Sequence, residues 1–439
     1  MARSGVAAAL ALREASPGAR VVACDAASPA EAAAAGERLA RAGVEVHLDN
    51  DGTQLLAGSE APRTLVKSPG VPIDAPVVAE ARRRGIPIVG ELELGWRMLP
   101  NRFAAVTGTN GKTTTAERLG VIYRAAGRPV AVAGNVGTPL TSLVGHLDPD
   151  ATVVCEASSF QLEDSVSFAP EVALFLNFSP DHLDRHVTVA AYLAAKLRIF
   201  ANQRQSDIAV LNASEPALSG VDLGRARPVW FGEDPACDLY LANNELHWHG
   251  EPLIAASDLQ LQGPQGVQDA MGAAAAALAD GLEPAAVRRG LREFKGLPHR
   301  MELVRKLGGV RYVNDSKATN VAAAAAALDS FDGGVHAILG GSLKGGDFVG
   351  LAPAIRAGCE RCYLIGEAAP RLAQDLANTR VELSRSETLE RAVAEAASRA
   401  RPGDTVLLAP ACASFDQFAD YAERGERFRE LVRALPDRR

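Results

Sequence analysis

The residues best placed to do chemistry lie in Ala104-Ala-Val-Thr-Gly-Thr-Asn-Gly-Lys-Thr-Thr114. An apolar run feeds a loop containing Gly108, Thr109, Asn110 and Gly111, after which Lys112, Thr113 and Thr114 open a helical stretch. Glycines let successive backbone N–H groups share one concavity, and a helix N-terminus adds positive potential, so this segment suits a phosphate. Lys112 can reach the β- and γ-phosphates of a nucleotide, and the Thr113 hydroxyl can ligate Mg²⁺. The strict G-x-x-x-x-G-K-[ST] pattern would need glycine where Val106 stands, so the loop is a variant. A strand–turn–helix with a lysine cap is the plainer alternative. Even as a nucleotide site, the loop does not separate a ligase from a GTPase or a motor.

Downstream come groups that can serve a metal or a carboxylate. Glu156, in Cys155-Glu-Ala-Ser-Ser-Phe-Gln-Leu162, ends an apolar run, where parallel-sheet folds place ligand groups. Its oxygens suit Mg²⁺. A second run ends in Ser179-Pro-Asp-His-Leu-Asp-Arg-His186, which presents Asp181 and His182 at another expected strand tip. Lys196 follows on the amphipathic stretch Tyr192–Phe200. Taken singly, each has a bland reading: an acidic loop residue, a solvated histidine, a surface lysine.

These groups need elements to hold them. Short β-branched runs alternate with alanine- and leucine-rich stretches: Ala19–Ala23, Thr64–Lys67, Ala104–Thr107, Ala151–Glu156, Val172–Asn177, Ile208–Leu211, Val310–Asn314, Val335–Leu339, Cys362–Ile365 and Thr405–Leu408. That alternation predicts an α/β chain of mainly parallel sheets covered by helices. Alanine runs at Ala32–Ala35, Ala273–Ala277 and Ala322–Ala327 read as tightly packed helix faces. Three blocks are expected, 1–100, 101–298 and 299–439, with Pro228–Leu261 as a small β excursion inside the middle one.

The 439 residues are enough for several buried cores, and a net charge of −7 offers no global field for nucleic acid or anionic lipid. No apolar run reaches the length of a membrane span, so the expectation is a cytoplasmic protein with neither nucleic-acid nor membrane partners. Six scattered cysteines, with a single C-x-x-C at Cys359 and Cys362, read as reduced thiols rather than a zinc site.

Taken together, T-G-T-N-G-K-T, then Gly134-Asn-Val-Gly137, E-x-S-S-F-Q, D-H-x-D and A-A-K-L-R-I resemble the Mur ligase family. Its members build the peptide stem of cell-wall precursors. The resemblance runs over nearly the whole chain. It implies a Rossmann-like N-terminal domain, a central P-loop ATPase-like domain and a Rossmann-like C-terminal domain, acting as a monomer. It further implies ATP and two Mg²⁺ sites: Thr113 and Glu156 at one, His182 and Lys196 at the other, the lysine carrying a CO₂-derived carbamate. Asn135 would touch substrate near that second site. Ser4, Gly5, Ser68, Gly70 and Ser158 would serve the nucleotide-linked substrate.

In the last block, Leu297-Pro-His-Arg-Met-Glu302 and Val313-Asn-Asp-Ser-Lys-Ala-Thr-Asn320 resemble the family's hinge and closing loop. By that likeness Arg300 clamps the transferred phosphate, Asp315 closes onto the nucleotide, and Lys317 and Thr319 hold the incoming amino acid. Ala409-Pro-Ala-Cys-Ala-Ser-Phe-Asp-Gln-Phe418 is similar to the sequence of members that add D-glutamate. Lys344, Ser414 and Tyr421 would form that pocket, and UDP-N-acetylmuramoyl-L-alanine would be the acceptor. Another amide ligase of the superfamily, a P-loop switch or motor, and a noncatalytic nucleotide binder are the alternatives.

Two departures are visible. The chain enters within the glycine-rich turn at Arg3-Ser-Gly5, so the strand expected before that turn is absent from this sequence. The expected H-N-x-x-N reads Gln268-Asp-Ala-Met-Gly272, so Gly272 stands where an adenine-binding asparagine is expected.

Overall fold

A computed structural model describes residues 2–26, 30–58, 61–260, 263–343 and 347–436. The chain divides into two units: Met1–Asp258 with Gln268–Phe294, and Leu259–Val267 with Lys295–Arg439.

The first unit is organised by a nine-stranded sheet. Its order is Glu251–Ala255, Glu245–Trp248, Leu239–Ala242, Arg227–Gly232, Ile208–Asn212, Val172–Phe175, Arg102–Thr107, Thr152–Glu156 and Val130–Gly134. The last seven in that order are parallel, and the first two extend them as antiparallel strands. The central strands are apolar on both faces because helices cover both sides. Phe103, Ala105, Val153, Cys155, Ala173, Phe175, Ala209 and Leu211 fill one core together with Leu92, Leu162 and Phe200. The stretch expected as a small β excursion inside the middle block extends this sheet: Arg227–Gly232 pairs in parallel with Ile208–Asn212, and a hairpin lies at the edge.

Before this sheet the chain forms the helix Arg3–Ala15 and two parallel strand pairs, Val22–Asp25 with Glu45–Leu48 and Leu65–Lys67 with Ile88–Gly90. The following helix, Glu91–Met98, is anchored by Glu93, whose buried carboxylate accepts from the backbone N–H groups of Val166, Ser167 and Phe168.

The second unit has a six-stranded sheet ordered Glu302–Leu307, Val310–Asn314, Thr405–Leu408, Val335–Gly340, Cys359–Ile365 and Glu382–Glu387, parallel except for the first strand. Alternate residues feed two cores. Val313, Ala337, Leu339, Leu364 and Leu407 face one; Tyr312, Ile338, Tyr363, Val406 and Leu408 face the other. This period-two division explains why these strands read as continuous apolar runs. All six cysteines are free thiols. No helix among the described residues is long and apolar enough to cross a membrane.

Candidate active site

The loop after Arg102–Thr107 ends at Gly111, which caps the helix Lys112–Ala125 with φ of 79°. A Cβ there would lie 2.1 Å from Asp269 Oδ1, so glycine is required for space as well as for conformation. Asn177 pins the loop from the neighbouring strand tip. Its Oδ1 accepts from the N–H of Thr109 at 3.2 Å and of Asn110 at 2.9 Å, while its Nδ2 donates to Gln268 Oε1 at 3.0 Å. Thr109 Oγ1 also donates to the Ser179 carbonyl at 3.1 Å. Two loop amides are thus engaged with protein, and the helix N-terminus that follows them is of a kind that suits a phosphate.

Sequence reading placed Asn177 only as a strand end. Gly272, on the helix Pro264–Ala279, faces the sheet's leucines: a Cβ there would meet Leu176 Cδ2 at 2.7 Å. One turn earlier on that helix, Gln268 meets Asn177 and Asp269 lies against Gly111 of the loop.

Two lysines converge on one carbonyl. Lys112 Nζ donates to Gly108 O at 3.0 Å and to Thr109 O at 2.8 Å; Lys196 Nζ donates to the same Gly108 O at 2.6 Å. Lys196 is 1% exposed and its amine lies 4.7 Å from the centre of the Tyr192 ring. Burial, and then the charge of Lys112, push its pKa well below that of an ordinary lysine, outweighing the opposing pull of Asp181 and Glu156. The surface reading of Lys196 is therefore wrong. Hydrophobic neighbours along Val189–Leu197 turn this residue inward.

Glu156 and Asp181 are the carboxylates whose charge acts on Lys196. Glu156, buried at its strand tip, accepts from Asn135 Nδ2 at 3.0 Å through Oε1. Ser158 caps the short helix Ser159–Leu162 in a reciprocal box with Gln161. His182 has φ of 53°, a 48% exposed side chain, and Nε2 at 3.8 Å from Asp181 Oδ2. Its ring centre is 4.9 Å from that of Phe160.

The N-terminal candidates also meet. Ser4 Oγ lies 3.4 Å from Ser68 Oγ, and a Cβ on Gly5 would be 3.0 Å from that same oxygen. Ser68 to Val71 is a turn closed by the Val71 N–H on the Ser68 carbonyl at 3.0 Å, with Gly70 in open space. A buried ionic cluster, unforeseen from sequence, holds its far end. Lys67 Nζ donates to Val71 O at 2.9 Å and pairs with Asp164 Oδ2 at 2.7 Å. Arg185 donates to Val71 O at 3.2 Å and pairs with Glu163. Burial still outweighs Lys67 at Asp164, whose pKa is raised.

In the second unit, Asp315 follows the strand Val310–Asn314 and accepts from the Met301 N–H at 3.3 Å. Burial lifts its pKa to about 6, against the counteracting charge of Arg300. Lys317 Nζ stands 3.7 Å above the Tyr421 ring centre, and the Thr319 N–H donates to Lys317 O at 2.8 Å. Ser414 is 2% exposed, and its carbonyl accepts from the N–H groups of Gln417 and Phe418. Lys344 lies outside the described residues.

Residues 106–277 match the Mur ligase middle domain, and residues 299–412 match the Mur ligase, glutamate ligase domain. This chain belongs to the Mur ligase family. Among its curated Mur ligase relatives is the UDP-N-acetylmuramoylalanine–D-glutamate ligase of Koribacter versatilis, 39% identical over all of this chain and 96% of the relative. The enzyme of the same name from Solibacter usitatus is 44% identical over 84% of each chain. The fold is similar to that of a UDP-N-acetylmuramate-alanine ligase from Thermotoga maritima, with a TM-score of 0.61 and 20% identity over 98% of this chain and 97% of that one. A pseudomurein peptide ligase type C from Methanothermus fervidus superposes over the same shares with a TM-score of 0.60 and 18% identity.

Proposed function

We propose that this Mur ligase joins D-glutamate to the alanyl carboxylate of UDP-N-acetylmuramoyl-L-alanine, using ATP, in the synthesis of peptidoglycan precursors. The relatives named for that reaction, at 39% and 44% identity, support the choice of substrates. The observation that carries the chemistry is the buried amine of Lys196 on the phosphate-loop carbonyl of Gly108. A nucleotide switch has no need of a second, desolvated lysine there.

A carboxylate resists amines because its oxygen leaves poorly. The γ-phosphoryl of ATP moves to the alanyl carboxylate, giving an acyl phosphate and ADP. The amine of D-glutamate then adds to the acyl carbon, and the tetrahedral species expels phosphate to leave the amide. Lys112 and Arg300 neutralise charge on the transferring group, a role suited to Arg300's fixed fork of donors. Asp315 serves the nucleotide. Lys317, Thr319, Lys344, Ser414 and Tyr421 bind D-glutamate. Ser4, Gly5, Ser68, Gly70, Asn135 and Ser158 serve the UDP-linked substrate. The same reading divides the chain at 1–100, 101–298 and 299–439 for UDP substrate, ATP and D-glutamate, with Rossmann-like outer domains.

The donor set fits Mg²⁺. Glu156 is a hard oxygen donor oriented by Asn135, and Thr113 would supply a hydroxyl to the same ion, as at other phosphate loops. No cluster of three acidic, histidine or cysteine side chains capable of holding a metal occurs among the described residues. His182 would share a second site with Lys196. Burial favours the neutral lysine amine, the form that adds to CO₂ and loses a proton to become a carbamate with ligating oxygens. Bound there, Mg²⁺ would supply charge stabilisation to the phosphoryl oxygens.

Coupled measurement of ADP, omitting each reactant in turn, tests the reading. Release should require both D-glutamate and the UDP-sugar; hydrolysis indifferent to both would point to a nucleotide switch instead.

A further inference from the structure

Arg424 is a buried cation that none of the foregoing chemistry uses. It lies on the helix Tyr421–Ala434 and is 1% exposed. Its Nε donates to Ser316 Oγ at 3.0 Å. Nη2 donates to the carbonyls of Ser316 at 2.9 Å and Cys412 at 3.0 Å, and Nη1 to those of Ala413 at 3.1 Å and Gly340 at 3.5 Å. Each of these acceptors is neutral. Burying a guanidinium without a paired anion is costly, and burial pulls its pKa down to about 10.

The acceptors fall at one end of three adjacent parallel strands, Val310–Asn314, Thr405–Leu408 and Val335–Gly340. Ser316 lies between Asp315 and Lys317. Cys412 and Ala413 immediately precede Ser414. Gly340 opens the segment that leads toward Lys344. Ser316 Oγ also donates to the Tyr421 carbonyl at 2.8 Å, which ties the start of the arginine's own helix to the same knot. Close packing at this point leaves no freedom. A Cβ on Gly341, at φ of 138°, would lie 3.0 Å from Arg424 Nη1 and 2.1 Å from the Ala413 carbonyl.

We propose that Arg424 is a positioning residue for the amino-acid substrate, its five-donor fork fixing the chain at Ser316, at Cys412 and Ala413 and at Gly340, so that Lys317 and Ser414, with Tyr421 tied through Ser316, are presented to the carboxylates of D-glutamate. The inference rests on the reading of this unit as the D-glutamate site. Arg424 is too deeply buried to touch substrate itself. A lysine would keep the charge but offer a point donor in place of a planar fork that reaches separate acceptors.

The test is steady-state kinetics of the full chain and its Arg424→Lys, Arg424→Gln and Ser316→Ala variants, with thermal melting alongside. Losing charge-assisted hydrogen bonds that order the loops should raise the D-glutamate KM about tenfold or more for both Arg424 variants. Ser316→Ala, which removes one acceptor, should raise it about threefold. The KM values for ATP and the UDP-sugar should stay within about twofold of wild type, as expected for separately bound substrates. A lower melting temperature and lower kcat with an unaltered D-glutamate KM would mean a structural role only and overturn the proposal. If the Arg424 variants do not fold, an unaltered D-glutamate KM in Ser316→Ala overturns it equally. Wild-type enzyme that releases ADP without need of D-glutamate would defeat the functional reading itself, and this inference with it.

Discussion

The phosphate loop and the amino-acid end solve one problem by opposite means. Both lie at the ends of parallel strands, where the chain must leave a sheet and still hold functional groups in place. At the phosphate loop, the key groups are contiguous from Gly108 to Thr113, and Asn177 from the neighbouring strand tip holds two backbone amides. At the amino-acid end, three loops distant in sequence are gathered on a buried guanidinium. A local device leaves a motif in the sequence. A gathered one leaves an arginine on a helix, indistinguishable by pattern from a surface residue.

The largest effect expected from breaking this contrast is at Lys196. Lys196→Met should lower kcat by about a thousandfold or more if its carbamate is needed at the phosphoryl group, with partial recovery in bicarbonate or short carboxylic acids expected only for Lys196→Ala, which leaves room for them. The melting temperature of Lys196→Met should not fall, because a desolvated amine is replaced by an apolar chain. Near-normal turnover would remove the lysine from the chemistry.

Next comes the ionic cluster. Lys67→Met strands Asp164 without its partner at 2.7 Å and should cost about 3 kcal/mol of stability, read by denaturant unfolding. The UDP-sugar KM should rise with it, since Lys67 also holds the end of the Ser68–Val71 turn. Unchanged stability would show that the pair is not formed in solution.

A smaller effect is expected at Asn177. Asn177→Ala frees the Asn110 amide, leaves that of Thr109 only the backbone carbonyl of residue 177, and should raise the ATP KM about tenfold while leaving the D-glutamate KM alone. An equal rise in both would erase the distinction between the two regions.

The most delicate change is the titration of Asp315. Its folded pKa of about 6 lies above the usual aspartate value. Its contribution to stability is therefore fully present below about pH 4 and declines as pH rises through 6, when a buried carboxylate must ionise. Carboxyl NMR of the ligand-free protein should show a midpoint near 6 that disappears in Asp315→Asn; titration near 4 would place this group in water.

Much of the scaffold could be read from the residues, because runs such as Val335–Leu339 and Thr405–Leu408 lie in strands buried on both faces. Edges were less legible. Pro228–Leu261 alternates like an exposed hairpin, and nothing local says that Arg227–Gly232 joins the main sheet in parallel. The space around Gly272 was not legible either, because the leucines at 174 and 176 that limit it come from another strand. Asn177 and Arg424 act through backbone atoms of distant residues, a relation that residue type alone does not encode.

The central claim is that an alanyl carboxylate is activated as an acyl phosphate before the amine arrives. The direct measurement uses UDP-N-acetylmuramoyl-L-alanine carrying ¹⁸O in that carboxylate and follows the label by mass spectrometry during D-glutamate ligation. One labelled oxygen should appear in the inorganic phosphate released per amide formed. Unlabelled phosphate accompanying a glutamylated product would contradict the account.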